Sequence, residues 1–176
     1  PVKIADMVMT MSAIFTGIIF HQKFIIATAK QWDFLWWSVC FGVFAVCQVA
    51  GSFSTGWLVD RISAKRIAPF VLVPFGISVA ILGISETEVW APVVMATMGL
   101  SAGATNPSYS SLWAELYGTE HLGAIRAVGA VLMVFASALG PVVVGWALDA
   151  DVSIYAICTA SGVITAGTSG LAAYGL

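Results

Sequence analysis

An all-helical, polytopic membrane protein is the fold class this sequence predicts, and three observations carry it. The 176 residues are 60% hydrophobic and only 9% charged, against roughly a quarter charged in an ordinary soluble domain. The mean hydropathy is +0.97. Apolar runs recur along the whole chain and do not alternate in polarity as barrel strands would. A hydrocarbon core about 30 Å thick takes roughly 20 residues of helix, and backbone groups inside it must be satisfied within the segment. Each run is therefore expected to be a helix, with almost nothing left over for a soluble domain.

Cutting the runs at clusters of charge, Gly and Pro gives six spans, at about 4–27, 34–59, 67–84, 89–113, 125–148 and 152–174. The first carries His21 and Gln22 toward its end and stops before Lys30 and Asp33. The second holds Gln48 at its middle, with Gly42, Gly51 and Gly56, and ends at Arg61, Lys65 and Arg66. A short third span ends at Glu86 and Glu88. The fourth is interrupted by Asn106 and Pro107, followed by Tyr109 and Ser110, and leads to a loop with His121, Arg126 and two glutamates. Gly140 and Pro141 let the fifth bend before Asp149 and Asp151. The last contains Gly162, Gly167 and Gly170. Small residues let helix backbones approach closely in a membrane, so the spans are expected to pack as one bundle, 1–176, rather than stand as separate anchors.

Loop charge gives an orientation. The second and fourth loops are basic and the third and fifth acidic, which by the positive-inside rule places the second and fourth loops, and both ends of the segment, on the cytoplasmic side. Lys23 and Lys30 dissent mildly, with only Asp33 beside them. Trp36, Trp37, Trp90 and Trp113 fall near span ends and are expected as interfacial anchors. The chain starts at Pro1 without an initiator methionine or a basic region before a short apolar stretch, so it is expected to be one part of a longer chain without a cleavable signal peptide. The two triplets of spans place their most polar connection after the second and first helix respectively, as inverted-topology repeats do.

Several function classes drop out. A formal charge of −2 with no broad basic stripe argues against nucleic acid. Cys40, Cys47 and Cys158 lie inside apolar runs with neither a zinc spacing nor a disulfide framework, so no metal site is expected and they read as small core residues. Intramembrane hydrolysis wants clusters of His or carboxylate, yet His21 and His121 fall on opposite sides. No catalytic residue and no cofactor is expected.

The stretch GWLVDRISAKR, residues 56–66, gathers much of the positive charge. Such residues at a cytoplasmic helix end can serve orientation alone. Gly56, Leu58, Asp60, Arg61, Ser63, Lys65 and Arg66 also resemble the cytoplasmic signature G-x-L-x-D-R-x-G-R-R of the major facilitator superfamily, which joins the second and third helices of a six-helix bundle. Ser63 stands where a glycine is usual and Ala64 where a basic residue is, a relaxation typical of the C-terminal half of these transporters. AELYGTEHLGAIR and ALGPVVVGWALD are similar to helices ten and eleven of bacterial facilitators and their connection, and FTGIIFHQ to helix seven. There is a faint likeness to monocarboxylate transporters, but the second span lacks the Asp and Arg pair they carry in helix eight.

The resemblance implies one half of a twelve-helix fold: a secondary active transporter of a small organic solute, working by alternating access in a bacterial cytoplasmic (inner) membrane. Its partners would be the solute, a coupling proton, the lipid bilayer, and a missing N-terminal six-helix half or a second copy. In that family Gly56, Asp60, Arg61, Lys65 and Arg66 form a cytoplasmic gating latch. Polar residues near the midplane are candidates for the substrate pathway, namely His21, Gln22, Gln48, Asn106 and Tyr109. His21 with Gln22 equally fits an interfacial polar cap, and the amides fit interhelical hydrogen bonding. The alternative from another class is a six-helix scaffold or receptor-like protein without transport.

Overall fold

The computed structural model describes residues 2–118, 120 and 122–174; His121, expected among the basic residues of the fourth loop, lies outside them. Among the described residues every regular element is helical: α1 (Val2–Phe20), α2 (Phe34–Val39), α3 (Phe41–Ile62), α4 (Ala64–Val71), α5 (Val73–Ile84), α6 (Ala91–Tyr117), α7 (Leu122–Asp149) and α8 (Ile154–Ala173). A π-helical turn at Phe24–Ala29 and a 3-10 turn at Glu88–Trp90 complete the order. The all-helical membrane class read from composition is the one observed.

Among the described residues, four helical stretches are long and apolar enough to cross a membrane: Phe34–Ile62, Ala64–Ile84, Leu122–Asp149 and Ile154–Ala173. Two other long helices fall short, for different reasons. The apolar α-helix Ala5–Phe20 is short, because the chain turns at His21 and then widens into the π-helical turn. α6 has the length, 27 residues, but Ser101, Thr105, Asn106, Ser108 and Ser110 dilute its hydropathy. Gly99, Ser101, Gly103 and Ser108 are buried, so Ser101 and Ser108 face protein rather than lipid, while Asn106 is exposed. A helix enclosed by its neighbours need not match hydrocarbon.

Proline sets the kink between α4 and α5. Pro74 has no amide to give to the Phe70 carbonyl, the helix breaks at Leu72, and the Val71 carbonyl is taken by the Ser101 hydroxyl of α6. The third expected span is thus one bent unit that starts three residues earlier than the apolar run, at Ala64.

Two seams of small residues hold the bundle. On α3 and α6, a Cβ at Gly99 would run into the Phe44 backbone, one at Gly103 into the Gln48 carbonyl, and one at Gly51 would come within 2.5 Å of the Leu100 carbonyl oxygen. On α1 and α7, a Cβ at Gly140 would strike the Ala13 carbonyl and one at Gly17 would meet Val144 Cγ2 at 2.7 Å. The Thr16 hydroxyl bridges this second seam to the Ser137 carbonyl at 3.1 Å. α8 lies against α4 and α5, where a Cβ at Gly83 would meet Cys158 Cβ at 2.8 Å and Ser169 donates to the Pro69 carbonyl.

One expectation is corrected here. Trp37 is no interfacial anchor: it is fully buried, its ring packs against Trp32 with centroids 6.3 Å apart, and its indole N–H donates to Gln22 Oε1 at 3.0 Å. The polar end of the indole finds an amide inside the bundle, which lets the whole side chain leave the surface. Gln22→Leu, which orphans that N–H, is expected to destabilise the bundle by about 1–3 kcal/mol, read as a lower melting temperature in detergent. Gln22→Glu, which keeps an acceptor, should lose less.

Candidate functional site

The basic stretch forms the turn from α3 to α4. Ser63 is at φ 125°, ψ 140°, a conformation that costs a residue with a Cβ about 1–3 kcal/mol. The surroundings hold it there. Glu115, in the last turn of α6, accepts from the Ala64 amide at 2.7 Å, from the Ser63 hydroxyl at 2.8 Å and from the Lys65 amide at 3.4 Å. These are the otherwise unpaired donors of the first turn of α4, where the helix dipole also favours a carboxylate. Glu115 is exposed, yet the desolvation it does suffer works against its charge. The bonds from Ala64, Ser63 and Lys65 and the Lys65 ammonium outweigh it and hold the carboxyl below its ordinary pKa.

Sequence reading passed over Glu115, although the residue sits inside a stretch it singled out. The signals were present: a carboxylate in the last turn of the fourth span, and a serine where a glycine is usual.

With the backbone of the turn clamped, its charged side chains point away. Asp60, Arg61 and Arg66 are exposed and Lys65 is half-buried. The Arg61 guanidinium lies 4.2 Å from the centroid of the exposed Trp57 ring. Gly56 faces open space, since a Cβ there would meet nothing within 4 Å. Behind Asp60, the apolar side chains Val46, Val49, Phe53 and Trp57 form an exposed face of α3, and Val131, Phe135, Val142 and Trp146 form another on α7.

The pathway candidates separate into three settings. His21 lines a groove of about 830 Å³ between α1 and α7 with Thr16, Ser137 and Pro141. Its Nδ1 stands 3.1 Å from the Gly17 carbonyl and its ring lies edge-on to Phe20. Gln22 is turned inward to Trp37. Gln48, on α3, has its backbone in the α3–α6 seam and Asn106 lies on α6, three residues after Gly103, and both are exposed on this bundle. Tyr109 is in the core, 6% exposed, with its hydroxyl and that of Ser108 lacking a partner among the described residues. The structure therefore places Gln48 and Asn106 on the two helices of one seam, His21 on another seam, and Tyr109 in the core. Among the described residues no cluster of His, Cys, Asp and Glu could hold a metal ion.

A family model described as "Sugar (and other) transporter" matches residues 7–168. No curated protein matches the chain.

Proposed function

This chain belongs to the sugar (and other) transporter family of the major facilitator superfamily, and from that premise we propose that it is the C-terminal, bacterial-type six-helix half of a secondary active transporter for a small organic solute. The observation that carries this reading is the clamped turn. Glu115 fixes the backbone at Ser63 and Ala64, while Asp60, Arg61 and Arg66 stand exposed beside an uncovered apolar face of α3. A rigid mount with free charges suits a latch that engages another bundle in one access state and releases it in the other. The exposed faces of α3 and α7 supply the surface for that bundle, an N-terminal half or a second copy.

The six spans, with both ends cytoplasmic, follow the charge distribution. Of the seven basic residues only Lys23 and Lys30 fall at the end of the bundle away from the clamped turn, together with Asp33, Glu86, Glu88, Asp149 and Asp151. His21, Gln48 and Asn106 offer hydrogen-bonding groups toward the cavity that two bundles would enclose. His21 is the titratable side chain available there to a coupling proton. Gln22 and Tyr109 support that wall from behind.

Asp60→Asn is expected to lower solute uptake about five- to thirtyfold, the loss of roughly 1–2 kcal/mol of latch energy, while membrane abundance and melting temperature stay unchanged. The assay is counterflow of radiolabelled hexoses and other small organic solutes into vesicles holding the complete two-bundle assembly. Undiminished uptake by Asp60→Asn would remove the latch. The intact mass of the native polypeptide separates the two partners: about twice 18.5 kDa or more means a fused half, and 18.5 kDa means a second copy.

A further inference from the structure

At the end of the bundle opposite the clamped turn, a polar cavity of about 490 Å³ is lined by Lys30, Ser85, Glu86 and Tyr155, with Gly83 and Ile84 as its floor. Gly83 and Ile84 also close the end of a second, apolar groove of about 650 Å³, which runs along α4 and α5 on one side and α8 on the other. Ile77, Ala80, Gly162 and Val163 are among the residues that line it. The two spaces thus share a wall. One is a long apolar slot at membrane depth, and the other is a small charged chamber at its mouth.

The chamber holds unused polar capacity. Lys30 Nζ donates to the Ser85 carbonyl at 2.6 Å and to the Gly83 carbonyl at 3.3 Å, and lies 5.3 Å from the Trp32 ring centroid. That binds two of the three ammonium hydrogens and fixes the charge at the C-terminal end of α5, where a cation is favoured. Among the described residues the third hydrogen has no acceptor. Burial lowers the pKa of this ammonium, opposed by nearby Glu86, so an anion brought to it would restore what desolvation removes. The Ser85 hydroxyl is buried, 7% exposed, and has no partner among the described residues. The Trp32 indole bonds the Glu86 carbonyl at 3.1 Å and the Trp36 indole the Glu88 carbonyl at 3.2 Å. These bonds tie the two loops of the chamber together and leave the Glu86 carboxylate exposed at its rim.

We propose that this slot and chamber form a binding site for one glycerophospholipid with a primary-ammonium headgroup, of the phosphatidylethanolamine type. An acyl chain lies in the groove between α5 and α8, the phosphate accepts from Lys30 and Ser85, and the ammonium meets Glu86. Charge complementarity selects this occupant. A phosphate satisfies the spare Lys30 donor, and a zwitterionic headgroup also matches the carboxylate that would repel a purely anionic one. The acyl slot has room, because a Cβ at Gly162 would meet nothing within 4 Å.

The test uses the purified full-length chain, delipidated in mild detergent, with dioleoyl phosphatidylethanolamine or dioleoyl phosphatidylglycerol added back and bound lipid counted by native mass spectrometry. One phosphatidylethanolamine is expected to be retained in preference to phosphatidylglycerol. Lys30→Gln should weaken retention about tenfold, the loss of one charge-assisted bond. Glu86→Gln should abolish the preference between the two lipids without lowering phosphatidylglycerol binding. Gly162→Leu, which fills the slot and touches no headgroup contact, should also weaken retention about tenfold. It decides the matter if Lys30→Gln proves unstable through loss of its bonds to α5. Retention equal to the unmodified chain in Gly162→Leu, or equal retention of both lipids by the unmodified chain, overturns the site. So does a dimer with copies seated on this groove. None of these readouts involves transport, so they stand or fall separately from the latch.

Discussion

Gly103→Ala and Gly140→Ala are each expected to cost about 3 kcal/mol or more, at the upper end of what overpacking does, and to leave little folded protein. At both positions the added Cβ falls on backbone: the Gln48 carbonyl for Gly103 and the Ala13 carbonyl for Gly140. A side-chain neighbour could rotate aside, but a carbonyl in a helix can move only if the whole helix moves. In a membrane no hydrophobic effect drives helices back together once their backbones are held apart, because lipid tails are as apolar as the helices themselves. Gly42→Ala and Gly162→Ala face open space and should leave the melting temperature where it is. Thermal unfolding followed by size-exclusion chromatography in detergent separates the pairs. A melting temperature for Gly103→Ala equal to that of Gly42→Ala would show that the α3–α6 seam does not hold the bundle.

Glu115→Ala is expected to remove a further large share of stability, about 2 kcal/mol once discounted for the exposure of the site. It leaves the first turn of α4 without its acceptor and Ser63 without the bond that holds its positive φ. Uptake should fall with it, since a loosened turn no longer presents Asp60 and Arg61 in one place. The pH dependence has a definite sign. Because the Glu115 carboxyl is held below its ordinary value of 4.5, its contribution is fully present above that value. The contribution is lost as the pH falls through the lower, folded-state pKa. The unmodified chain should therefore lose melting temperature at pH below about 4.5, and Glu115→Gln should lose less over that window. Parallel curves for the two would place the acid sensitivity elsewhere.

Much of this architecture is legible in the sequence because it is local. Whether a segment is helical in lipid depends on its own hydropathy and length, and where it stops depends on the nearest charges and prolines. The run boundaries at Lys30, Ser63, Glu86 and Asp149 needed no knowledge of neighbours. The basic turn at 56–66 was legible for the same reason, since its spacing is contained in eleven consecutive residues. Even the serine in a glycine position was visible as a departure, with a φ of 125° as its structural meaning.

The partners were not legible. Glu115 reaches the Ala64 amide across 51 residues of sequence, and nothing in either stretch names the other. Trp37 reads as an anchor by its place near a span end, but its burial was decided by the amide of Gln22, which lies just after α1. Tyr109 and Asn106 are three positions apart on α6, yet one is enclosed and the other exposed. Which side of a helix is inside depends on the register between Gly99, Gly103 and α3. The sequence by itself determined that this chain is a bundle of apolar helices with one charged turn. Tertiary structure alone decided which helices touch, what clamps the turn and where a lipid would fit, because contact between distant segments is set by the shapes they bring to a shared seam.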